Sequence, residues 1–197
     1  MPREPRDEPQ INLPRIVGGS LRGRKLLYSG DPRTRPMKDR VREAVFNLIG
    51  TDATGKHAID LFAGTGALGL EAISRGAAKA TFIEQHFPTA DLIQKNIQQF
   101  EISQPCVIVP GNTFIWAKRA ADLGIEPWIV FCSPPYVFYV DRKTEMLEMI
   151  CGLIDRAPPE SVFVVEADER FDFSELPQAD AWDVREYPPA TVGILRL

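Results

Sequence analysis

Five short apolar runs, at residues 58–62, 80–84, 106–109, 128–132 and 162–166, alternate with segments of helical spacing. Such nearly unbroken runs, rich in Val, Ile and Phe, suit strands buried on both faces, and the helices between them supply the covers. The helical segments fall at 37–49, 66–74, 89–100, 114–121 and 143–155. In the first of these, Val41, Ala44, Val45, Leu48 and Ile49 recur at i, i+3, i+4, i+7 and i+8, which makes one apolar stripe. Residues 182–187 and 191–197 read as two further strands joined around Pro188-Pro189, an antiparallel pair at one sheet edge. The expected class is α/β, a mostly parallel seven-stranded sheet with helices on both faces.

At 197 residues with 44% hydrophobic content, the chain can bury one large core. No apolar run approaches the ~20 residues of a membrane helix, and the charged, proline-rich residues 1–10 do not read as a secretory signal. Cys106, Cys132 and Cys151 sit among apolar neighbours without C-x-x-C spacing, as buried free thiols of a reducing cytoplasm would. The two histidines, His57 and His86, pair with no cysteine, so no metal is expected.

The net charge of −4 is unevenly spread. Residues 1–43 hold eleven Lys/Arg against six Asp/Glu, and the remainder twelve against twenty-one. A basic arm on an acidic body suggests a polyanion partner. Residues 1–14 read as a disordered tail, 15–50 as a basic arm and helix, and 51–197 as the core. Residues 16–26 mix β-formers, glycines and charges, a pattern for a short hairpin exposing Arg22, Arg24 and Lys25.

After the first strand, residues 60–69 read Asp-Leu-Phe-Ala-Gly-Thr-Gly-Ala-Leu-Gly and open a helix. Gly64, Gly66 and Gly69 form a G-x-G-x-x-G pattern, and Glu84 ends the next strand where a ribose-binding acid belongs. Asp60, in the strand end, would repel a pyrophosphate but pair with a ligand ammonium group. The chain also lacks room for a second nucleotide half with a substrate domain. S-adenosylmethionine, a nucleoside bearing an amino acid, therefore fits the pattern better than a dinucleotide. Candidate cofactor contacts are Asp60, Phe62, Ala63, Gly64, Thr65, Gly66, Leu68, Glu84 and Gln85.

The fourth run stops at Ser133-Pro134-Pro135-Tyr136. Proline offers no N–H to a sheet, so the backbone must leave it there in a stiff, extended turn. In open α/β sheets that carboxyl edge is where ligands bind. A hydroxyl, free carbonyls and an aromatic face together suit a flat base with an exocyclic amine. The reading is that the Ser133 hydroxyl and the Pro134 carbonyl accept the amine hydrogens, with Pro135 stiffening the turn and Tyr136 stacking on the base. On that reading Tyr136→Phe is mild.

With these motifs placed, the chain resembles the class I S-adenosylmethionine-dependent methyltransferases, with their Rossmann-like fold. More narrowly, it is similar to the bacterial 16S ribosomal RNA guanine-N2 methyltransferases over residues 15–197. The resemblance rests on residues 15–26, on Arg35-Pro36 with residues 39–47, and on residues 60–71 with 74–77. It implies S-adenosylmethionine as donor and a guanine amine of 16S RNA, naked or in an assembling small subunit, as acceptor. It further implies cofactor contacts at Asp60, Gly64, Gly66 and Glu84, and places Arg40 and Arg42 in the segment that approaches cofactor and substrate. Arg15, Arg22, Arg24, Lys25, Arg35 and Arg40 are the candidate RNA contacts, Arg42 a candidate cofactor contact, and a cytoplasmic monomer is expected. Two positions depart from the family pattern: Ser133 stands where Asp or Asn usually begins the acceptor motif, and Asn112 where an acid commonly meets the adenine amine. Asn112 can offer its amide oxygen instead. An amine methyltransferase of another RNA or DNA base, a nicotinamide oxidoreductase and a non-catalytic RNA-binding module remain as alternatives.

Overall fold

A computed structural model describes residues 13–31, 34, 37–119 and 123–197. Residues 1–12 of the expected 1–14 tail and the candidate Arg35 lie outside the described residues, while Pro14 is buried and its carbonyl accepts the Leu26 N–H at 2.8 Å. Seven strands, β1 (His57–Asp60), β2 (Lys79–Glu84), β3 (Cys106–Pro110), β4 (Trp128–Cys132), β5 (Val162–Asp168), β6 (Asp183–Tyr187) and β7 (Ala190–Arg196), form one sheet in the order β3-β2-β1-β4-β5-β7-β6. The first five are parallel. β7 runs antiparallel between β5 and β6, so the expected terminal pair is present with β6 as the edge.

Period-two alternation divides the core. Along β4, Ile129 and Phe131 face one hydrophobic cluster, while Trp128, Val130 and Cys132 face the other. Helices α1 (Asp39–Ile49), α2 (Ala67–Ser74) and α3 (Phe87–Gln99) cover the first face. The second is covered by α4 (Thr113–Arg119), the short α5 (Phe138–Asp141), which the sequence pattern did not suggest, and α6 (Lys143–Ile154). Cys132 is buried as expected, but Cys106 and Cys151 are only half-buried.

The arm keeps the expected hairpin in reduced form: Ile16 N–H donates to the Arg24 carbonyl at 2.9 Å, Gly23 N–H to the Ile16 carbonyl and Leu26 N–H to the Pro14 carbonyl, both at 2.8 Å. A single bridge joins Arg15 to Lys25, and the described residues of the arm form no strands. Its tip also pairs with α2: the Val17 and Gly18 N–H groups donate to the Glu71 carboxylate, each at 2.7 Å, and Ser20 N–H donates to the Ser74 carbonyl at 2.8 Å. Gly19 is required where the two segments touch, because its φ is +72° and an added Cβ would lie 2.0 Å from the Ser74 carbonyl oxygen. Ile16 and Leu26 are fully buried in the cluster shared with α1 and α2, so the arm is part of the core.

β1 lies between β2 and β4, so the chain moves outward in one direction from β1 to β3 and in the other from β4 onward. That reversal opens a crevice at the carboxyl ends of the strands.

Candidate active site

The crevice is a cleft of about 690 Å³. Each strand's exit loop contributes: Phe62 and Gly64 after β1, Glu84, Gln85 and His86 at β2, Asn112 and Phe114 after β3, residues 133–138 after β4, and Glu166 near the end of β5. Lys38 and Val41 of the arm and α1, with Pro189 of the last turn, complete the wall. Parallel strands release their loops at one edge, which brings these distant segments together.

The glycine loop is held from both sides. Gly64 (φ +52°) and Gly66 (φ +76°) occupy left-handed conformations, and Gly66 caps α2. The Glu84 carboxylate accepts N–H bonds from Gly64 and His86, both at 2.8 Å, while it lines the cleft. Asp60 is fully buried beneath the loop and accepts the Gly69 N–H at 3.1 Å. Burial pushes its carboxyl up to about 7, with the Glu84 charge adding and the Gly69 N–H opposing. Asp60 therefore underpins the loop rather than facing a ligand in the cleft, contrary to the direct pairing expected. Ala63, Thr65, Gly66 and Leu68 likewise support the turn from outside the cleft wall, whereas Phe62, Gly64, Glu84 and Gln85 reach it.

Ser133, Pro134, Pro135 and Tyr136 all line the opposite wall. Both hydroxyls are committed to one partner. Ser133 Oγ donates to Glu166 Oε2, and Tyr136 Oη donates to Glu166 Oε1 at 2.6 Å. Burial raises the Glu166 carboxyl while the two hydroxyl donors oppose the rise, and burial with the adjacent Glu166 charge raises the Tyr136 phenol. Tyr136→Phe would thus remove a part-buried hydrogen bond to Glu166, so it is no longer expected to be mild. Sequence reasoning took Glu166 for an ordinary strand end. The available signal was a charge following four buried apolar residues at the carboxyl end of a parallel strand.

Other expectations are relocated. Arg42 is fully buried, away from the cleft wall; it donates to the Met37 carbonyl (3.0 Å), the Arg15 carbonyl and Asp39 (2.8 Å), and its Nε lies 3.7 Å from Glu71. It is a brace between arm and α2, because an enclosed guanidinium has no face left for a cofactor. The Asn112 amide oxygen accepts the Phe114 and Ile115 N–H groups at 3.0 and 3.2 Å, so it caps α4, and the adenine contact expected of that oxygen meets an acceptor already in use. Arg40 is exposed and donates to the Pro188 carbonyl at 3.2 Å beside the cleft. Arg22 and Lys25 are exposed; Arg24 donates to the Gln99 carbonyl, and exposed Arg15 pairs with Asp39 at 3.0 Å. Lys38 and Arg170, which sequence reasoning did not single out, join Arg40 in placing positive charge around the cleft. Phe114 and Phe138 were also missed; with Phe62 their rings make mutual contacts at 5.9–6.1 Å between centroids, forming an aromatic floor. Among the described residues no acidic, His or Cys group is arranged to hold a metal ion, and no helix is long and apolar enough to cross a membrane.

A parallel sheet with its reversed strand between β5 and β6, and a glycine loop facing a proline turn across one cleft, define a Rossmann-like class I methyltransferase fold. The chain belongs to the family described as Conserved hypothetical protein 95, whose model matches residues 14–189. Its relatives bear out the resemblance drawn from the motifs. The ribosomal RNA small subunit methyltransferase D of Escherichia coli K12 is 39% identical over 62% of this chain, and that of Buchnera aphidicola from Acyrthosiphon pisum 35% identical over 66%. The matched segments span 60% and 66% of those relatives' own lengths. A solved structure of a candidate methyltransferase from Escherichia coli superposes with a TM-score of 0.75 at 30% identity, over 93% of this chain and 97% of that one.

Proposed function

We propose that this protein transfers a methyl group from S-adenosylmethionine to the exocyclic N2 amine of a guanine in 16S ribosomal RNA. The observation that carries the reading is the juxtaposition of a glycine loop held by Glu84 and a Ser-Pro-Pro-Tyr turn on opposite walls of one cleft. The residues present suit the cofactor. Gly64 leaves backbone exposed at the wall, Glu84 and Gln85 offer acceptors for ribose hydroxyls, and Phe62, Ile83 and Phe114 supply an apolar surface for a purine. When bound, it would supply an electrophilic methyl carbon.

The protein's own work is positioning. A guanine amine is a weak nucleophile because its lone pair is delocalised into the ring, so holding it in line is the main contribution. The Ser133 oxygen and the Pro134 carbonyl accept the amine hydrogens, and the Tyr136 ring stacks on the base. The base must leave its stack to enter, and Lys38, Arg40 and Arg170 with Arg22 and Lys25 hold phosphates around it. The substrate is ribosomal RNA of the small subunit, methylated in the cytoplasm by a monomer.

The test is incubation of purified protein with methyl-labelled donor and undermodified small ribosomal subunits, followed by mapping of the label. One N2-methylguanine in 16S RNA is expected. Label on another base, or none with intact donor binding, would overturn the assignment.

A further inference from the structure

Sheet register brings Glu166 to the acceptor turn. β4 and β5 pair in parallel with Cys132 opposite Val165, so the next positions, Ser133 and Glu166, emerge side by side at the cleft. Glu166 is only 5% exposed, and its two oxygens take one hydroxyl each, from Ser133 and Tyr136. Among the described residues those hydroxyls are its donors, and Arg170 of the same cleft wall pairs with Asp168 at 2.7 Å. A buried carboxylate held only by hydroxyl donors keeps much of the cost of leaving water.

Resting on the reading above, we propose that Glu166 is the positioning residue of the acceptor turn: it holds the Ser133 hydroxyl so that its oxygen can only accept, and takes the reaction's spare proton through it. A serine hydroxyl has one hydrogen and two lone pairs. With the hydrogen committed to Glu166, Ser133 meets the cleft as an acceptor, polarised by the adjacent negative charge. Glu166 thus provides from β5 the carboxylate that the turn itself lacks at position 133.

The proton balance follows. The amine lone pair forms the new bond to the methyl carbon, and the electrons of the broken bond remain with the leaving sulfur. The nitrogen then carries one hydrogen too many. Its N–H bond breaks as that proton joins Ser133 Oγ, while the Ser133 O–H bond breaks and its hydrogen joins Glu166 Oε2. The product amine is neutral, Ser133 is restored, and Glu166, now a carboxylic acid, returns the proton to water.

Activity should fall as pH drops through the raised value of the Glu166 carboxyl. The titratable groups facing that carboxyl are Tyr136 of the acceptor turn, Tyr139 of α5, Cys132 of β4 and, near Tyr136, Asp168 of β5; Lys38 and Arg170 are the charged residues in the same cleft wall.

Two measurements test this. In the first, kcat over pH and donor Kd are compared for wild type, E166Q and S133D/E166Q with labelled donor and undermodified small subunits. E166Q should lower kcat roughly 30-fold or more with donor Kd within about twofold, and should abolish the acid limb. Moving the carboxylate to position 133 in S133D/E166Q should recover about tenfold over E166Q. E166Q with kcat within about threefold of wild type and the acid limb intact would overturn the proposal. The second uses no transfer at all: carboxyl-¹³C NMR of the protein alone should show Glu166 titrating above ordinary glutamates, and higher still in S133A, which removes a donor to the charged form. An ordinary value unmoved by S133A would also overturn it, and that arm remains readable if E166Q does not fold. Failure of wild type to methylate any RNA, with the NMR result as expected, would instead count against the guanine reading alone.

Discussion

Tyr136 combines an aromatic face in the cleft with a phenol hydrogen given to Glu166. Stacking on a base contributes about 1–3 kcal/mol, so Tyr136→Ala should lower kcat/KM tenfold or more. Tyr136→Phe keeps the ring but removes a bond to a charged group, worth about 1.5–3 kcal/mol. It should fall between wild type and Ala; equal losses in the two variants would remove stacking from the account. Asp60 offers a prediction about stability. Its carboxyl is raised from 3.8 to about 7, so the folded state binds the proton more tightly than the unfolded chain. Its contribution is present below 3.8 and is lost as pH rises through about 7. Urea midpoints measured across that range should decline less steeply in Asp60→Asn than in wild type. Ser133 and Tyr136 could be singled out from sequence because two prolines announce where a strand must stop. Glu166 and Phe138 carry no such signature, since their meaning lies in what stands across the cleft.

The arm and α2 are joined by a buried carboxylate. Glu71 and Arg42 side chains are both fully enclosed, and Glu71 also takes the N–H groups of Val17 and Gly18 and the Arg75 Nε at 2.9 Å. Removing one member of a buried pair strands the other, at a cost of about 3–5 kcal/mol. Glu71→Ala should therefore lower unfolding free energy by about that amount in urea titration and expose residues 15–26 to limited proteolysis. Loss of stability without new cleavage in the arm would contradict the docking role. The helices and strands themselves were legible because their apolar periods are local. Arm docking was not: the β-formers announced the short hairpin, whose Ile16 and Leu26 N–H groups pair across it, but nothing local showed that the Val17 and Gly18 N–H groups would meet the Glu71 carboxylate.

A basic arm on an acidic body suits a polyanion partner. Arg22 and Lys25 are exposed, whereas Arg24 is tied to the Gln99 carbonyl and Arg15 to Asp39. Every cation withdrawn from a phosphate should make the slope of log affinity against log salt shallower by about one. The double variant R22Q/K25Q should therefore bind small-subunit RNA with a slope shallower by up to about two, measured by filter binding across salt concentrations. An unchanged slope would place the RNA path elsewhere. Local periodicity, proline and glycine were enough to read the α/β class, the strand–loop–helix on one wall of the cleft and the proline turn on the other. Backbone conformation at such positions is limited by the residue itself, so one dimension of information suffices. The partners of charged groups required the folded chain. Asp60 went under the loop, Arg42 into the brace and Glu166 into the cleft because a buried charge settles wherever distant segments supply donors, and no linear spacing encodes that meeting.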